Sequence, residues 1–165
     1  VKVMQGADKI TLDEAALATK NIREISNPCC AVELGTGTIL FADKALQMVK
    51  EITRSGELIW SYGQPRRVGD QANQLSSPEY VVRLPSGSSL IADTRNNRVI
   101  EIAPNKRVIW ETKGTQEYPL LNPTFCKRLI NGNTLIAFDN YRKILEITPK
   151  REACWYFELG NKPLV

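Results

Sequence analysis

The 165-residue chain contains no histidine. A Ser-His-Asp triad, a His-ligated haem, a nucleophilic histidine and any zinc site that needs imidazole are therefore beyond what these residues can build. Its four cysteines, Cys29, Cys30, Cys126 and Cys154, have no C-x-x-C spacing, which removes support for a zinc ribbon or a dithiol redox motif. Aromatic residues are scarce at 7%, and the basic doublets Arg66-Arg67, Lys106-Arg107, Lys127-Arg128, Arg142-Lys143 and Lys150-Arg151 are scattered rather than interleaved with them. With a net charge of only +4, these doublets read as solvated faces, and nucleic acid is not an expected partner. No apolar run is long enough for a membrane-spanning helix, and no secretory apolar region opens the chain, so membrane insertion is not expected. The first residue is Val1 rather than Met, which leaves open a removed upstream segment and, with it, an extracellular, cell-surface or virion location.

What is present is a repeat. Pro28, Pro78 and Pro123 are followed, without a gap, by Leu34/Leu84/Leu129, Gly37/Gly87/Gly132, Leu40/Leu90/Leu135, Ala42/Ala92/Ala137, Glu51/Glu101/Glu146, Ile52/Ile102/Ile147 and Trp60/Trp110/Trp155, eight identical columns in all. The units run over residues 27–63, 77–114 and 122–160, within a repeat domain of 27–165. Four short apolar runs per unit, separated by turn residues, predict four strands: 30–34, 38–42, 48–53 and 58–62 in the first, 80–84, 89–93, 98–103 and 107–112 in the second, and 125–130, 133–138, 143–148 and 153–157 in the third. Asn131-Gly132 suits a type I′ hairpin, with Ser86-Gly87 and Gly35-Thr36-Gly37 at the same joint. Val99-Ile100-Glu101-Ile102 and Ile144-Leu145-Glu146-Ile147 are apolar on both faces except at the glutamate, so both faces of each sheet should be covered. Stacked four-stranded antiparallel units that cover one another describe propeller blades, an all-β fold.

The string Leu84-Pro85-Ser86-Gly87-Ser88-Ser89-Leu90-Ile91-Ala92-Asp93-Thr94-Arg95-Asn96-Asn97-Arg98-Val99-Ile100-Glu101-Ile102, ending in Val108-Ile109-Trp110, resembles the blade repeat of NHL-type and arylsulfotransferase-type β-propellers. The resemblance implies the fold and says little about function. Arylsulfotransferases are understood to use a catalytic histidine, which this chain lacks, so that activity is not carried over.

Residues 1–26 are expected to form either a short helix, with Thr11 and Glu14 as a capping box, or a degenerate half-blade, since Ile10-Thr11-Leu12 and residues 18–25 echo 133–135 and 94–102. Trp60, Trp110 and Trp155 are expected to pack between blades. Glu51, Glu101 and Glu146 are weak candidates for a ring of metal-binding carboxylates; pairing with backbone donors or with arginines such as Arg83 and Arg128 is the simpler use. Asp43 and Asp93 end second strands and should cap turns. Cys126, and Cys154 in the column of Ile59 and Ile109, read as small buried hydrophobes, with disulfides as the alternative in an exported protein. Fourteen residues separate Gly63 from Pro78 and eight separate Gly114 from Pro123, so the first linker carries an insertion. Pro65, Arg66, Arg67 and Asp70 make it a candidate rim binding loop.

Closed propellers have about four to eight blades, so three leave blade faces to be covered. Two copies joined head to tail as a six-bladed ring are the first expectation. Cover by residues 1–26, open-ended stacking into a larger assembly, and membership of a longer propeller are the others. The sequence thus points to a non-catalytic structural or protein-interaction module without a cofactor, whose partners include its own copies. The alternative is a ligand-binding or enzymatic propeller with its site on a rim or in the central channel.

Overall fold

A computed structural model describes residues 2–5, 8–11, 25–138 and 142–159. A short hairpin, β1 (Lys2–Gln5) with β2 (Asp8–Thr11), opens the chain; apart from it, the helix or half-blade expected before residue 25 lies outside the described residues. Three antiparallel four-stranded meanders follow. The first holds β3 (Pro28–Glu33), β4 (Ile39–Asp43), β5 (Met48–Ile52) and β6 (Leu58–Gly63). The second holds β7 (Pro78–Arg83), β8 (Ser89–Asp93), β9 (Arg98–Ile102) and β10 (Val108–Thr112). The third holds β11 (Phe125–Arg128), β12 (Thr134–Phe138), β13 (Lys143–Ile147) and β14 (Ala153–Glu158). Among the described residues the sole helical element is a 3-10 turn, Thr94–Asn96.

The core lies between the sheets. One cluster joins Leu40, Ala42, Val49 and Tyr62 of the first blade to Val81, Ile91, Ile100 and Ile102 of the second. Another joins Leu90, Ala92 and Val99 of the second to Cys126, Ile136, Phe138, Leu145 and Ile147 of the third. Alternate residues of β8 and β9 thus enter different cores, so a strand apolar on both sides is what the middle blade requires. Each fully buried Leu or Ile contributes about 1.5 to 3 kcal/mol.

The turn chemistry differs in one respect from the sequence expectation. Gly132 N–H donates to Leu129 O (3.0 Å) and only Gly132 (φ 86°), not Asn131, is left-handed, so this hairpin is a type I turn closed by a left-handed glycine rather than type I′. The three-residue loop needs one positive φ, at its third position. Gly37 and Gly87 do the same in the other blades.

A second correction concerns the outer strands. Ile59, Ile109 and Cys154, read as buried, are exposed. Each is the extra residue of a bulge, skipped in the pairing between Leu58 and Trp60, Val108 and Trp110, and Ala153 and Trp155. The bulge turns that side chain out and brings the tryptophan opposite the strand-three glutamate. Cys126 is fully buried and all four cysteines are free thiols.

The two strand-ending aspartates, both fully buried, fasten the chain entering each blade. Asp43 accepts from Ser26 N (2.8 Å), Asn27 N (3.1 Å) and Leu46 N (3.0 Å). Asp93 accepts from Ser76 N, Asn96 Nδ2 and Arg98 Nε, each at 2.7 Å. Arg98 then reaches the carbonyls of Asp70 (3.0 Å) and Gln74 (3.2 Å), tying the inserted linker to the second blade. Asp93→Ala takes the near carboxylate from a buried guanidinium, leaving it two carbonyls and Glu111 at 3.6 Å. It also unties three donors, so it is expected to cost about 3 kcal/mol in urea unfolding; a loss below about 1 kcal/mol would mean that the linker is held by other contacts.

Candidate functional site

Two kinds of polar constellation recur on this framework. The first is a clasp between blades. In β5, Glu51 Oε1 accepts from Thr38 Oγ1 of its own blade (2.7 Å), and Oε2 pairs with Arg83 Nη2 of the next (2.5 Å). The Arg83 guanidinium lies 5.0 Å from the ring centre of Trp60, whose Nε1 donates to Pro104 O (3.1 Å). The arrangement repeats one blade on. Glu101 accepts from Ser88 Oγ (2.5 Å) and pairs with Arg128 (2.7 Å), which sits 4.8 Å from the centre of Trp110; Trp110 Nε1 donates to Pro149 O (3.0 Å). These charges are largely buried and each is matched, which is what keeps them in the interface.

The third clasp is half assembled. Asn133 Nδ2 holds Glu146 Oε1 at 2.7 Å, and this bond, with those from Asn131 and the Cys154 thiol, keeps the carboxyl below the usual range. Asn131 Nδ2 donates to the same Oε1 (3.4 Å), and among the described residues no arginine pairs with the carboxyl. Trp155 is 48% exposed and stacks on Phe157, itself 44% exposed. At the corresponding place in the first blade, the position of Arg83 and Arg128 is taken by Glu33, paired with Arg54 of its own blade (2.7 Å). Glu51 and Glu101 are thus committed to arginines, and no group of three acidic or thiol side chains that could hold a metal ion occurs among the described residues.

The second constellation is an open cavity of about 490 Å³ on the inner rim, lined by Lys44, Ser77, Glu79, Thr94, Arg95, Asn122 and Thr124. It draws on equivalent places in the three units. Pairing skips Cys29 and Glu79, whose bulges follow Pro28 and Pro78 and re-aim these side chains at the rim. Lys44 bridges to Glu79 at 2.6 Å. Cys29 Sγ lies beside the carbonyls of Pro78 (3.3 Å), Glu79 (3.5 Å) and Ala42 (3.6 Å), and burial pushes its pKa up to about 11, against the pull of Lys44. The thiol is therefore protonated at neutral pH and is not a poised nucleophile.

The candidate rim loop is pinned at its ends while Pro65, Arg66, Arg67 and Asp70 stay exposed. Leu75 is buried in the first core, Arg66 N donates to Leu46 O (2.9 Å) and Arg67 Nη1 to Gln64 Oε1 (3.0 Å). The four residues do not converge with the rim cavity, which they do not line. Sequence reasoning missed Lys44, Glu79, Arg95 and Asn122. The available signal was variation: Cys29/Glu79/Thr124 and Lys44/Thr94/Asp139 are columns that change between otherwise similar units.

No family model matches the chain, and a search of curated proteins finds no match. Solved structures do match. A putative exported protein from Bacteroides fragilis superposes with a TM-score of 0.63 at 15% identity, over 87% of this chain and 41% of that one. The WD40 β-propeller domain of Doa1 gives 0.60 at 12%, over 80% and 40%. Virginiamycin B lyase from Staphylococcus aureus gives 0.58 at 18%, over 82% and 42%. The chain spans less than half the length of these structures, and at such identities the likeness bears on the fold alone. Three four-stranded sheets with these neighbours make it a β-propeller-type module.

Trp110→Ala empties a clasped position and should cost about 3 kcal/mol in urea unfolding, against under about 1 kcal/mol for Trp155→Ala; equal losses would contradict the distinction. Cys29 should react slowly with iodoacetamide at pH 8 and faster as pH rises toward about 11, and Lys44→Met should push that midpoint higher. Mass-spectrometric mapping of the alkylated peptide reads both, and a Cys29 midpoint near that of an ordinary thiol would contradict the first.

Proposed function

We propose that this three-blade unit is a non-catalytic structural or protein-interaction module that works through its blade faces. The observation that carries the reading is the outer face of the third blade. Trp155 and Phe157 are exposed there beside Glu146, while the equivalent Trp60 and Trp110 are roofed by arginines of the following blade. An aromatic patch built on a rigid sheet is the usual form of an association surface. NHL-type repeats, which the sequence resembles, fit such a role. An arylsulfotransferase role is not proposed, since these residues supply no histidine.

Copies of the chain are one source of a covering sheet, although a head-to-tail ring would set Glu33 against Glu146. On that same side of the first blade, Phe41 and Lys50 are already buried. Association between copies is therefore expected to be weak.

A second reading, binding of a small polar ligand, is favoured by the convergence of Lys44, Glu79, Arg95 and Asn122 on one rim cavity. Its chemistry would be mixed-charge recognition by the Lys44–Glu79 pair and the neighbouring Arg95.

The face reading is tested with a hydrophobic dye. The Trp155→Ser/Phe157→Ser chain should bind bis-ANS at least about twofold less than the wild type at equal circular dichroism. Equal dye binding would show that the face is not the adhesive surface.

A further inference from the structure

We infer that the outer face of the third blade is built to receive one kind of partner, a further propeller-type blade whose innermost strand carries an arginine five residues after its opening proline. The inference rests on the face reading above and adds the chemistry of the occupant. Its basis is charge complementarity repeated in register. At both assembled junctions the same three groups of the leading blade, a glutamate Oε2, an indole face and an indole N–H, are met by the same groups of the following one. These are an arginine in the first strand, Arg83 or Arg128, and the carbonyl of a turn proline, Pro104 or Pro149.

Same-blade donors sit on Oε1 in each case, Thr38 on Glu51, Ser88 on Glu101, Asn131 and Asn133 on Glu146, with the Cys154 thiol as a further partner of the last carboxyl. The third blade therefore presents the Glu146 carboxyl and the Trp155 indole without the arginine that meets both groups in its siblings. The partner's guanidinium pairs with Oε2, lies over Trp155 and donates back to its own hairpin, as Arg83 does to Gly87 O (3.1 Å) and Arg128 to Gly132 O (3.1 Å). A second copy brings Glu33 to this position and repels Glu146.

The test extends the full chain with such a blade. Pro119-Leu120-Leu121 leads into Asn122 at the natural junction, and Pro163-Leu164-Val165 has the same form, so residues 122–159 are appended after Val165. The acrylamide accessibility of Trp155 is read by difference against the Trp155→Phe chain. It should fall at least about twofold in the extended chain, return when the appended Arg128 alone is changed to Glu, and fall again when Glu146→Arg is added to that variant. The charge swap separates loss of recognition from failure of the appended blade to fold. No shielding in the arginine-bearing chain, or equal shielding with Glu at that position, would overturn the inference. So would shielding of Trp155 that grows with concentration of the unextended wild type, since a second copy would then be the occupant. If the Trp155→Ser/Phe157→Ser chain still binds the dye normally while the extended chain behaves as stated, the face reading fails in its adhesive part and the arginine recognition stands.

Discussion

Each blade is one sheet thick, and a sheet that is apolar on both sides has no interior of its own. The middle blade shows the consequence: all five residues of β8 are buried, and its three apolar ones enter two different cores, Ile91 the one shared with the first blade, Leu90 and Ala92 the one shared with the third. Nearest-neighbour packing of this kind is how repeat proteins are stabilised, so a blade is only as stable as the faces pressed against it. The glutamate, arginine and tryptophan at each junction add direction to that packing. They let one blade recognise the next in a single register, because an unpaired charge at that depth would cost several kcal/mol.

The same rule makes the blades unequal. β14 occupies the place in its sheet that β10 occupies in the second blade, yet four of the five β10 side chains are shared between partly and fully exposed positions while β14 is exposed at every residue but Tyr156. An exposed aromatic pair on a regular sheet, where Trp60 and Trp110 are each met by an arginine of the following blade, is the physical reason for assigning association to this surface. The polar cavity at the inner rim obeys a different logic. There the repeat supplies equivalent positions, and bulges after Pro28 and Pro78 present Cys29 and Glu79 on side chains free to differ.

Much of this was legible in the sequence. Within the three blades, strand number and order, with ends within two residues, follow from the repeat, and arginine partners such as Arg83 and Arg128 follow from the need to match a charge in an apolar strand; the β1–β2 hairpin was not foreseen. Three other features were not legible. Alternation assigns Ile59, Ile109 and Cys154 to a buried face, and only a bulge, which leaves no clear mark in a short strand, reverses that. Asn-Gly at 131–132 satisfies two turn types, and loop length decides between them. The rim cavity is assembled from residues far apart in sequence and unlike one another, so no motif announces it.

Cover by a neighbouring blade, rather than strand sequence, sets local stability in this chain. Native-state hydrogen exchange compares β10 and β14 directly, two strands of equal rank in their sheets that differ in what faces them. The β10 amides should exchange through openings approaching global unfolding, while those of β14 exchange through cheaper, local ones. Equal protection of the two strands would contradict this.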